Sequence, residues 1–309
     1  MKQSSEKAFL QAARSLGIRV VSGEPLAKHT SFSIGGPAAL YAIPGNVQNM
    51  VSCLKNAALC GIDTVILGNG SNVLFADSGF DGLVISTDEV RDCMIDRNRI
   101  TAGCGFSLQR LCRQAADLSL SGLAFAFGIP ARIGGATVMN AGAFGGSLDQ
   151  VVSSVLCYDK GKDCTVEYRP CDLQYGYRDS IFLHDPSLAV LETTFTLTEG
   201  DKTSILNEMN GYMARRTASQ PLDYPSAGSV FKRPKDNFAG KLIEESGLKG
   251  YRIGSAEVSA KHAGFIINTG NATASDVRDL IRHVRKTVFD KTGVLLECEI
   301  RQIGFPEEL

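Results

Sequence analysis

A run of glycine and alanine between residues 128 and 146 constrains the fold of this chain more than any other stretch. Glycine loses more backbone entropy on folding than any other residue, so this density is unfavourable unless the backbone must approach something closely. Flexible linkers are rich in polar residues, whereas this run carries Ile129, Ile133, Val138, Met139 and Phe144. The run therefore predicts a packed segment whose backbone contacts a flat or phosphorylated ligand. Its glycines are Gly128, Gly134, Gly135, Gly142, Gly145 and Gly146.

Composition limits the class of protein. The chain has 309 residues, of which 44% are hydrophobic and 21% charged, as is typical of a globular protein with room for more than one domain. Its net charge of -1 argues against a surface for nucleic acid or an acidic membrane. The first residues lack the apolar stretch of a signal peptide, and no later run approaches membrane-spanning length. We therefore expect a cytoplasmic protein without nucleic-acid or membrane partners.

The cysteines and histidines do not follow the pattern of a known site. The nine cysteines include no Cys-x-x-Cys pair, and their odd number argues against a disulfide framework. The four histidines are not at metal-ligand spacing. We expect buried thiols and no metal.

Apolar periodicity predicts several helices. Residues 47–58, 108–118 and 239–246 each place apolar side chains at helical spacing. A stronger pattern covers residues 276–289, and Thr-Ala-Ser-Asp at 273–276 before it has the form of a capping box.

Strand patterns are equally frequent, so the predicted fold class is α+β. Residues 151–158 and 188–197 are predicted strands. A last strand is predicted over residues 294–303, where period-2 alternation separates an apolar face from a face carrying Glu297, Glu299 and Arg301.

The sequence Gly-Asn-Gly-Ser-Asn at residues 68–72 follows a predicted buried strand at 64–67. Glycine and asparagine adopt left-handed conformations readily, and successive N–H groups in such a loop converge on an anion such as pyrophosphate. The loop is not the dinucleotide fingerprint, because Val73 stands where the third glycine belongs and begins a strand-like segment. A tight structural turn explains this loop alone equally well.

Three polar groups lie further along the chain. An arginine, Arg178, precedes an apolar pair, and Ser226 and Ser229 lie on a turn of small residues. The acidic face of the last predicted strand is the third group. Each group also has a purely structural explanation. Arg178 could form a buried ion pair, the serines could be turn hydroxyls, and the acidic row could be a solvated strand face. Spacing does not choose between Glu297 and Glu299, or between the two serines.

Taken together, these motifs make the chain resemble the UDP-N-acetylenolpyruvoylglucosamine reductases, flavoenzymes that make UDP-N-acetylmuramate for peptidoglycan. The resemblance covers nearly the whole chain, and five or six motifs in order are far more specific than any one. It runs from His-Thr-Ser-Phe-Ser-Ile-Gly-Gly at 29–36, through Gly-Asn-Gly-Ser-Asn at 68–72, the single motif formed by Gly-Ile-Pro-Ala at 128–131 with Gly-Gly-Ala at 134–136, Tyr-Arg-Asp-Ser at 177–180 and Gly-Ser-Val-Phe-Lys at 228–232, to Leu-Glu-Cys-Glu-Ile-Arg at 296–301.

The resemblance implies an α+β flavoprotein. Residues 1–85 and 86–203 would form a two-part FAD-binding domain of the vanillyl-alcohol-oxidase type, and residues 204–309 a smaller C-terminal α/β substrate domain. FAD would be bound non-covalently, since no histidine lies in either cofactor loop, and NADPH would be the reductant. The implied cofactor-binding residues are Gly68, Asn69, Gly70, Ser71, Asn72, Gly128, Ile129, Pro130, Ala131, Gly134, Gly135 and Ala136.

The resemblance also assigns the chemistry. The active-site arginine of the family falls on Arg178, its proton-donating serine on Ser229 and its glutamate on Glu299. These assignments come from the family and not from spacing. The UDP-sugar substrate would be bound by Lys232, Arg233 and Arg301, with Arg215, Arg216 and Lys261 as further basic candidates.

Some features depart from the family pattern. Arg233 stands where many members have asparagine, and the short segment after Arg178 favours the compact subtype that lacks a tyrosine-bearing substrate loop. We expect a monomer. Two alternatives remain at this point: a related FAD oxidase or dehydrogenase acting on a sugar or alcohol, and a flavin-binding regulatory module.

Overall fold

Each predicted helix is present in the computed structural model, which describes residues 2–306. The capping box is confirmed: Thr273 accepts a hydrogen bond from the amide of Asp276, and the Asp276 carboxylate accepts from the amide of Thr273. The same helix ends at Gly293, whose left-handed conformation suits a helix C-terminus. The helices are α1 (Lys2–Ser15), α2 (Val47–Leu59), α3 (Leu108–Asp117), α4 (Ile133–Val138), α5 (Ile181–His184), α6 (Lys202–Ser219), α7 (Ala239–Glu245) and α8 (Ala274–Thr292).

The strands are short, and several connect through single turns. The predicted strands at 151–158 and 188–197 are confirmed within one residue. The strands are β1 (Arg19–Pro25), β2 (Pro37–Ile43), β3 (Thr64–Leu67), β4 (Val73–Phe75), β5 (Phe80–Ser86), β6 (Cys93–Asp96), β7 (Arg99–Gly103), β8 (Leu120–Ser121), β9 (Gly142–Ala143), β10 (Gly146–Ser147), β11 (Val152–Asp159), β12 (Cys164–Tyr168), β13 (Leu188–Thr196), β14 (Thr198–Glu199), β15 (Arg252–Ile253), β16 (Ala256–Val258), β17 (Ile266–Asn268) and β18 (Arg301–Ile303).

Three sheets contain most of these strands. A four-stranded sheet has the order β1-β2-β5-β3, in which β3 and β5 are parallel. An antiparallel five-stranded sheet has the order β12-β11-β13-β7-β6. The third sheet, β15-β16-β17, is also antiparallel, and β18 pairs in parallel with β4.

The prediction of one continuous strand over residues 294–303 is wrong in its extent. Regular pairing begins only at Arg301, and an isolated bridge joins Cys298 to Phe231 upstream. The partner of this upstream segment is an irregular turn, and a side chain, the Arg285 guanidinium, satisfies the Leu296 carbonyl at 3.0 Å. The predicted alternation of burial holds in part: Leu296 and Ile300 are buried and Glu297 and Arg301 exposed, whereas Cys298 and Glu299 are both half-buried.

The chain divides into two compact units, and neither is continuous in sequence. The first consists of Met1–Ser22, Leu40–Asn69 and Gly82–Arg215, and the second of Gly23–Ala39, Gly70–Asp81 and Arg216–Leu309. Two hydrophobic clusters lie in the first unit, one around α3 and β13 and one around α2 and β5. A third, around α8, belongs to the second unit. Across residues 2–306, no helix combines the length and apolar character needed to cross a membrane.

Candidate active site

The loop at residues 68–72 connects β3 to β4, as the sequence predicts. Gly70 has a φ of +60°, and a β-carbon there would collide with the carbonyl oxygen of His29. The Ser31 amide donates to the Gly70 carbonyl at 3.0 Å. Only glycine fits this close backbone approach, so Gly70 is required by the shape of the loop.

In the first unit, the start of this loop lies beside the second predicted cofactor segment. The side-chain Nδ2 of Asn69 donates to the Pro130 carbonyl at 2.9 Å. A β-carbon on Gly68 would come within 3.3 Å of the Arg132 β-carbon. Two segments that are distant in sequence and were predicted separately as cofactor-binding are therefore neighbours.

The glycine run itself forms a short helix that the sequence did not predict, α4. The Gly134 amide donates to the Cys104 carbonyl at 2.8 Å, and a β-carbon on Gly134 would lie 2.8 Å from that of Cys104. Gly135, next to it, is exposed and has open space where a side chain would be. Gly134 is thus needed for packing, whereas Gly135 leaves an uncovered backbone surface of the kind the sequence predicted.

Two buried polar atoms in this region of the first unit suit a negatively charged ligand. Neither Thr87 Oγ1 nor Arg132 Nε has a hydrogen-bond partner within the described residues. Arg132 also forms an ion pair with Asp88, at 2.6 Å. Buried polar groups are nearly always hydrogen-bonded, so these two donors fit a bound group that completes their hydrogen bonding. The residues present therefore fit a phosphate-bearing cofactor.

Sequence reasoning missed both residues. Arg132 is the one charged side chain in the glycine run, which is a usable signal. Thr87 gave none, because it follows β5 in an ordinary turn.

In the first unit, Arg178 lies in a tight loop with a left-handed backbone, φ 56°. Its Nη1 donates to the Asn140 carbonyl at 3.4 Å and its Nη2 to the Gly142 carbonyl. The guanidinium carbon lies 5.2 Å from the centre of the Tyr177 ring. These backbone carbonyls orient the guanidinium, and an oriented guanidinium suits a group that binds an anion.

The segments carrying Ser229 and Glu299 pair in the second unit. The Glu299 amide donates to the Val230 carbonyl at 2.8 Å, and the Lys232 amide to the Glu297 carbonyl at 2.8 Å. On its other side, Ser229 forms an isolated bridge with Phe265. The backbone thus holds the predicted proton donor and the predicted glutamate on adjacent segments.

The same segments hold two of the basic candidates. Lys232 Nζ lies 2.5 Å from Glu297 Oε1, so Glu297 is engaged in an ion pair. The Arg233 guanidinium carbon lies 3.9 Å from the centre of the exposed Phe238 ring. The third candidate, Arg301, begins β18, and its amide donates to the Asn72 carbonyl at 3.1 Å.

Comparison with known families gives the class of protein first. The family of FAD binding domains matches residues 38–162, which include both predicted cofactor segments. With the α+β fold, this match defines a flavoprotein that binds FAD. The predicted fold class and flavin cofactor are confirmed, and relatives named as reductases confirm the enzyme class.

The particular family follows from relatives that match almost the whole chain. A UDP-N-acetylenolpyruvoylglucosamine reductase from Caldicellulosiruptor bescii is 44% identical over 96% of this chain and 94% of its own. One from Pseudothermotoga lettingae is 45% identical over 90% of this chain and 95% of its own. The crystal structure of the Thermus caldophilus reductase superposes with a TM-score of 0.80 at 33% identity, covering 93% of this chain and 99% of that one.

The C-terminal domain of this reductase family also matches residues 220–303. The chain belongs to the UDP-N-acetylenolpyruvoylglucosamine reductase family. This confirms the resemblance inferred from the motifs.

Proposed function

We propose that the chain reduces the enolpyruvyl group of UDP-N-acetylglucosamine enolpyruvate to UDP-N-acetylmuramate, with FAD as cofactor and NADPH as reductant, for peptidoglycan synthesis. The observation that carries the proposal is the paired backbone of Ser229 and Glu299, which lies inside the family's C-terminal match. Bound FAD supplies hydride transfer between NADPH and the methylene carbon of the enol ether.

The cofactor-binding residues are proposed from the first unit and the loop that leaves it. The loop at 68–72 would hold the pyrophosphate through its backbone amides. Residues 128–131 and 134–136 would line the rest of the cofactor, with Arg132 and Thr87 as additional hydrogen-bond donors.

Arg178 is proposed to bind the carboxylate-derived charge that develops when hydride reaches the substrate. Removing one such preorganised donor typically raises the barrier by about 3–4 kcal/mol. The carbonyls of Asn140 and Gly142 would fix its guanidinium before substrate arrives. The guanidinium is thus already oriented when the reaction begins, so orienting it does not add to the barrier.

Ser229 is proposed to donate the proton that completes the reduction. Glu299 is proposed to form or transmit a hydrogen bond to the enolate oxygen, which requires its carboxyl group to be protonated or bridged by a donor. A serine hydroxyl is a weak acid in water, but an enolate is strongly basic and a dry site favours the transfer. Glu297 forms an ion pair with Lys232, and the choice of Glu299 in its place rests on the family motif.

The remaining predictions concern binding and organisation. Lys232, Arg233 and Arg301 are proposed to bind the diphosphate of the UDP-sugar. A monomeric state, the compact subtype, a cytoplasmic location and domain boundaries near residues 85 and 203 remain predictions.

An anaerobic absorbance titration of the purified holoenzyme tests the reaction. The flavin band should bleach with NADPH and return only when the enolpyruvyl UDP-sugar is added. Reoxidation by oxygen but not by this substrate would favour an oxidase, and protein that takes up no FAD would contradict the proposal.

A further inference from the structure

Asn140 is a buried residue within the glycine run, just after α4. Its relative exposure is 3% and its φ is 41°. Asparagine tolerates this left-handed region better than most residues, but the conformation is uncommon outside glycine. A buried polar side chain needs hydrogen-bond partners, and the partners of the Asn140 side chain indicate its role.

Both polar ends of the Asn140 side chain are engaged. Its Nδ2 donates to the Gly176 carbonyl at 3.0 Å, and its Oδ1 accepts from the Asp149 amide at 3.0 Å. The Asn140 side chain therefore joins two loops: the one that follows a short 3₁₀ turn at residues 170–172, and the one that follows β10. The hydrogen bond to Gly176 is the one that concerns Arg178, because the two residues lie in the same loop.

Gly176 closes the loop that contains Arg178. Its amide donates to the Asp179 carbonyl at 3.1 Å, and the Asp179 amide donates back to the Gly176 carbonyl at 3.3 Å. That carbonyl also accepts from Asn140, so it has two donors. Arg178 sits inside this closure in a left-handed conformation, which disfavours a side chain with a β-carbon and persists only when neighbouring contacts impose it.

Asn140 also contacts Arg178 directly. Its backbone carbonyl accepts from Arg178 Nη1 at 3.4 Å. The side chain of Asn140 thus fixes the backbone of the Arg178 loop, while its carbonyl orients the guanidinium. Few residues could do both, because the two contacts require a left-handed backbone and an amide donor together.

We infer that Asn140 is a positioning residue for Arg178. This inference rests on the proposed function, in which Arg178 binds the developing carboxylate charge. Asn140 acts through Arg178, so its loss affects the transfer of hydride to substrate and not the reduction of the flavin.

Asn140→Gly tests this role. Glycine keeps the left-handed backbone and the carbonyl, and removes only the side-chain bonds to Gly176 and Asp149. In stopped-flow measurements on FAD-loaded enzyme, we expect the rate constant of the substrate half-reaction at saturating substrate to fall about tenfold or more, since misplacement near 1 Å can lower rates a hundredfold. The half-reaction with NADPH and the flavin content should be unchanged.

A double-mutant cycle separates positioning from a general structural effect. Arg178→Met alone should slow the substrate half-reaction strongly. If Asn140 acts only through Arg178, adding Asn140→Gly to that variant should lower the rate no further. Asn98→Ala is the matched control, because its amide likewise donates to a backbone carbonyl in the same unit, that of Leu197 at 2.8 Å.

The outcomes are distinct. Equal slowing by Asn140→Gly in the wild-type and Arg178→Met backgrounds would overturn the inference, as would an unchanged substrate half-reaction in Asn140→Gly. If Arg178→Met itself leaves that half-reaction unchanged, the role proposed for Arg178 fails and the inference with it, whereas a wild-type enzyme whose reduced flavin is not reoxidised by the enolpyruvyl sugar would refute the proposed function. Should Asn140→Gly not fold, Asn140→Asp keeps the acceptor for Asp149 and removes the donor to Gly176, and the same slowing is expected.

Discussion

The amide of Glu299 and the carbonyl of Val230 form a 2.8 Å hydrogen bond between two segments that are far apart in sequence. Val230 directly follows Ser229, so this bond fixes where the serine lies along the glutamate segment. A second amide–carbonyl contact between the same two segments, from the Lys232 amide to the Glu297 carbonyl at 2.8 Å, keeps them from sliding. A shift of one residue would move every side chain on one segment relative to the other.

Ser229→Ala should block the substrate half-reaction and leave the reduction of flavin by NADPH intact. Loss of a general acid typically lowers the rate about 10²–10⁴-fold. Rapid mixing of pre-reduced enzyme with substrate measures this step alone. Ser226→Ala is the control, because Ser226 contacts Ser31 through its backbone: its carbonyl accepts from Ser31 Oγ at 2.7 Å and its amide donates to the Ser31 carbonyl at 3.1 Å, and alanine retains both. Normal turnover by pre-reduced Ser229→Ala would contradict the assignment.

Arg132→Met should weaken the binding of FAD. The substitution removes a buried donor beside Gly68 and breaks the ion pair with Asp88, and hydrogen bonds to charged groups are worth about 1.5–3 kcal/mol. We therefore expect the dissociation constant of FAD, from flavin fluorescence on reconstituted apoprotein, to rise roughly tenfold or more. Arg99→Met, on the exposed start of β7, should leave it unchanged. An unaltered affinity in Arg132→Met would exclude the arginine from the cofactor site.

Asp77→Ala should destabilise the second unit without touching the proposed chemistry. The Asp77 carboxylate accepts from the Ala274 amide at 2.7 Å and from the Ser275 amide and hydroxyl at 3.0 and 2.9 Å, all at the start of α8. Losing a helix cap costs about 1–2 kcal/mol. Urea unfolding monitored by circular dichroism measures the change. Asp279→Ala removes only an exposed pair with Arg282 and should have a much smaller effect.

His262 should make the protein less stable as the pH falls. Burial lowers the pKa of His262, the positive charge of Lys249 lowers it further, and Glu244 opposes them. Its Nδ1 accepts from the Gly264 amide at 3.1 Å, which requires that nitrogen to be unprotonated. The unfolded chain binds a proton below a pH of about 6.5, whereas the folded protein does so only at lower pH, so stability is lost on acidification through this window.

His262→Gln should reduce this pH dependence. The free energy of unfolding in urea, compared at about pH 7.5 and 5.5, should fall less in the variant than in the wild type. The carboxylates with lowered pKa values, such as Asp163 and Asp201, lose their contribution only near and below about pH 4. Equal losses in the two proteins would show that His262 does not titrate differently on folding.

The sequence predicted the elements that depend on local rules. The helix α8 follows from apolar periodicity between a capping box and Gly293, and all three features are local. The loop at 68–72 was predictable because glycine and asparagine mark backbone that side-chain sterics would forbid. Family motifs then supplied the choice of Ser229 and Glu299, which no pattern within the chain could make.

What could not be predicted depends on tertiary contacts. Residues 294–300 alternate like a strand, yet they pair with a turn and with a side chain, and no local signal distinguishes these partners from a regular strand. The six-residue helix α4 forms in a run whose glycines disfavour helix, because Phe106 and Cys104 offer carbonyls to the amides of Ile133 and Gly134. Thr87 and Asn140 acquire their importance only from what the fold places beside them.

The parallel pairing of β4 with β18 sets an order of events during synthesis on the ribosome. Asn72 is synthesised early, but two of its hydrogen bonds cannot form until the end of the chain is made. Its carbonyl accepts from the amide of Arg301, and its side-chain Nδ2 donates to the Glu299 carbonyl at 3.2 Å. A nascent chain that has not yet reached Ile303 has β4 without its partner strand. If the loop at 68–72 binds the pyrophosphate of FAD as proposed, chains arrested before that point should be released colourless.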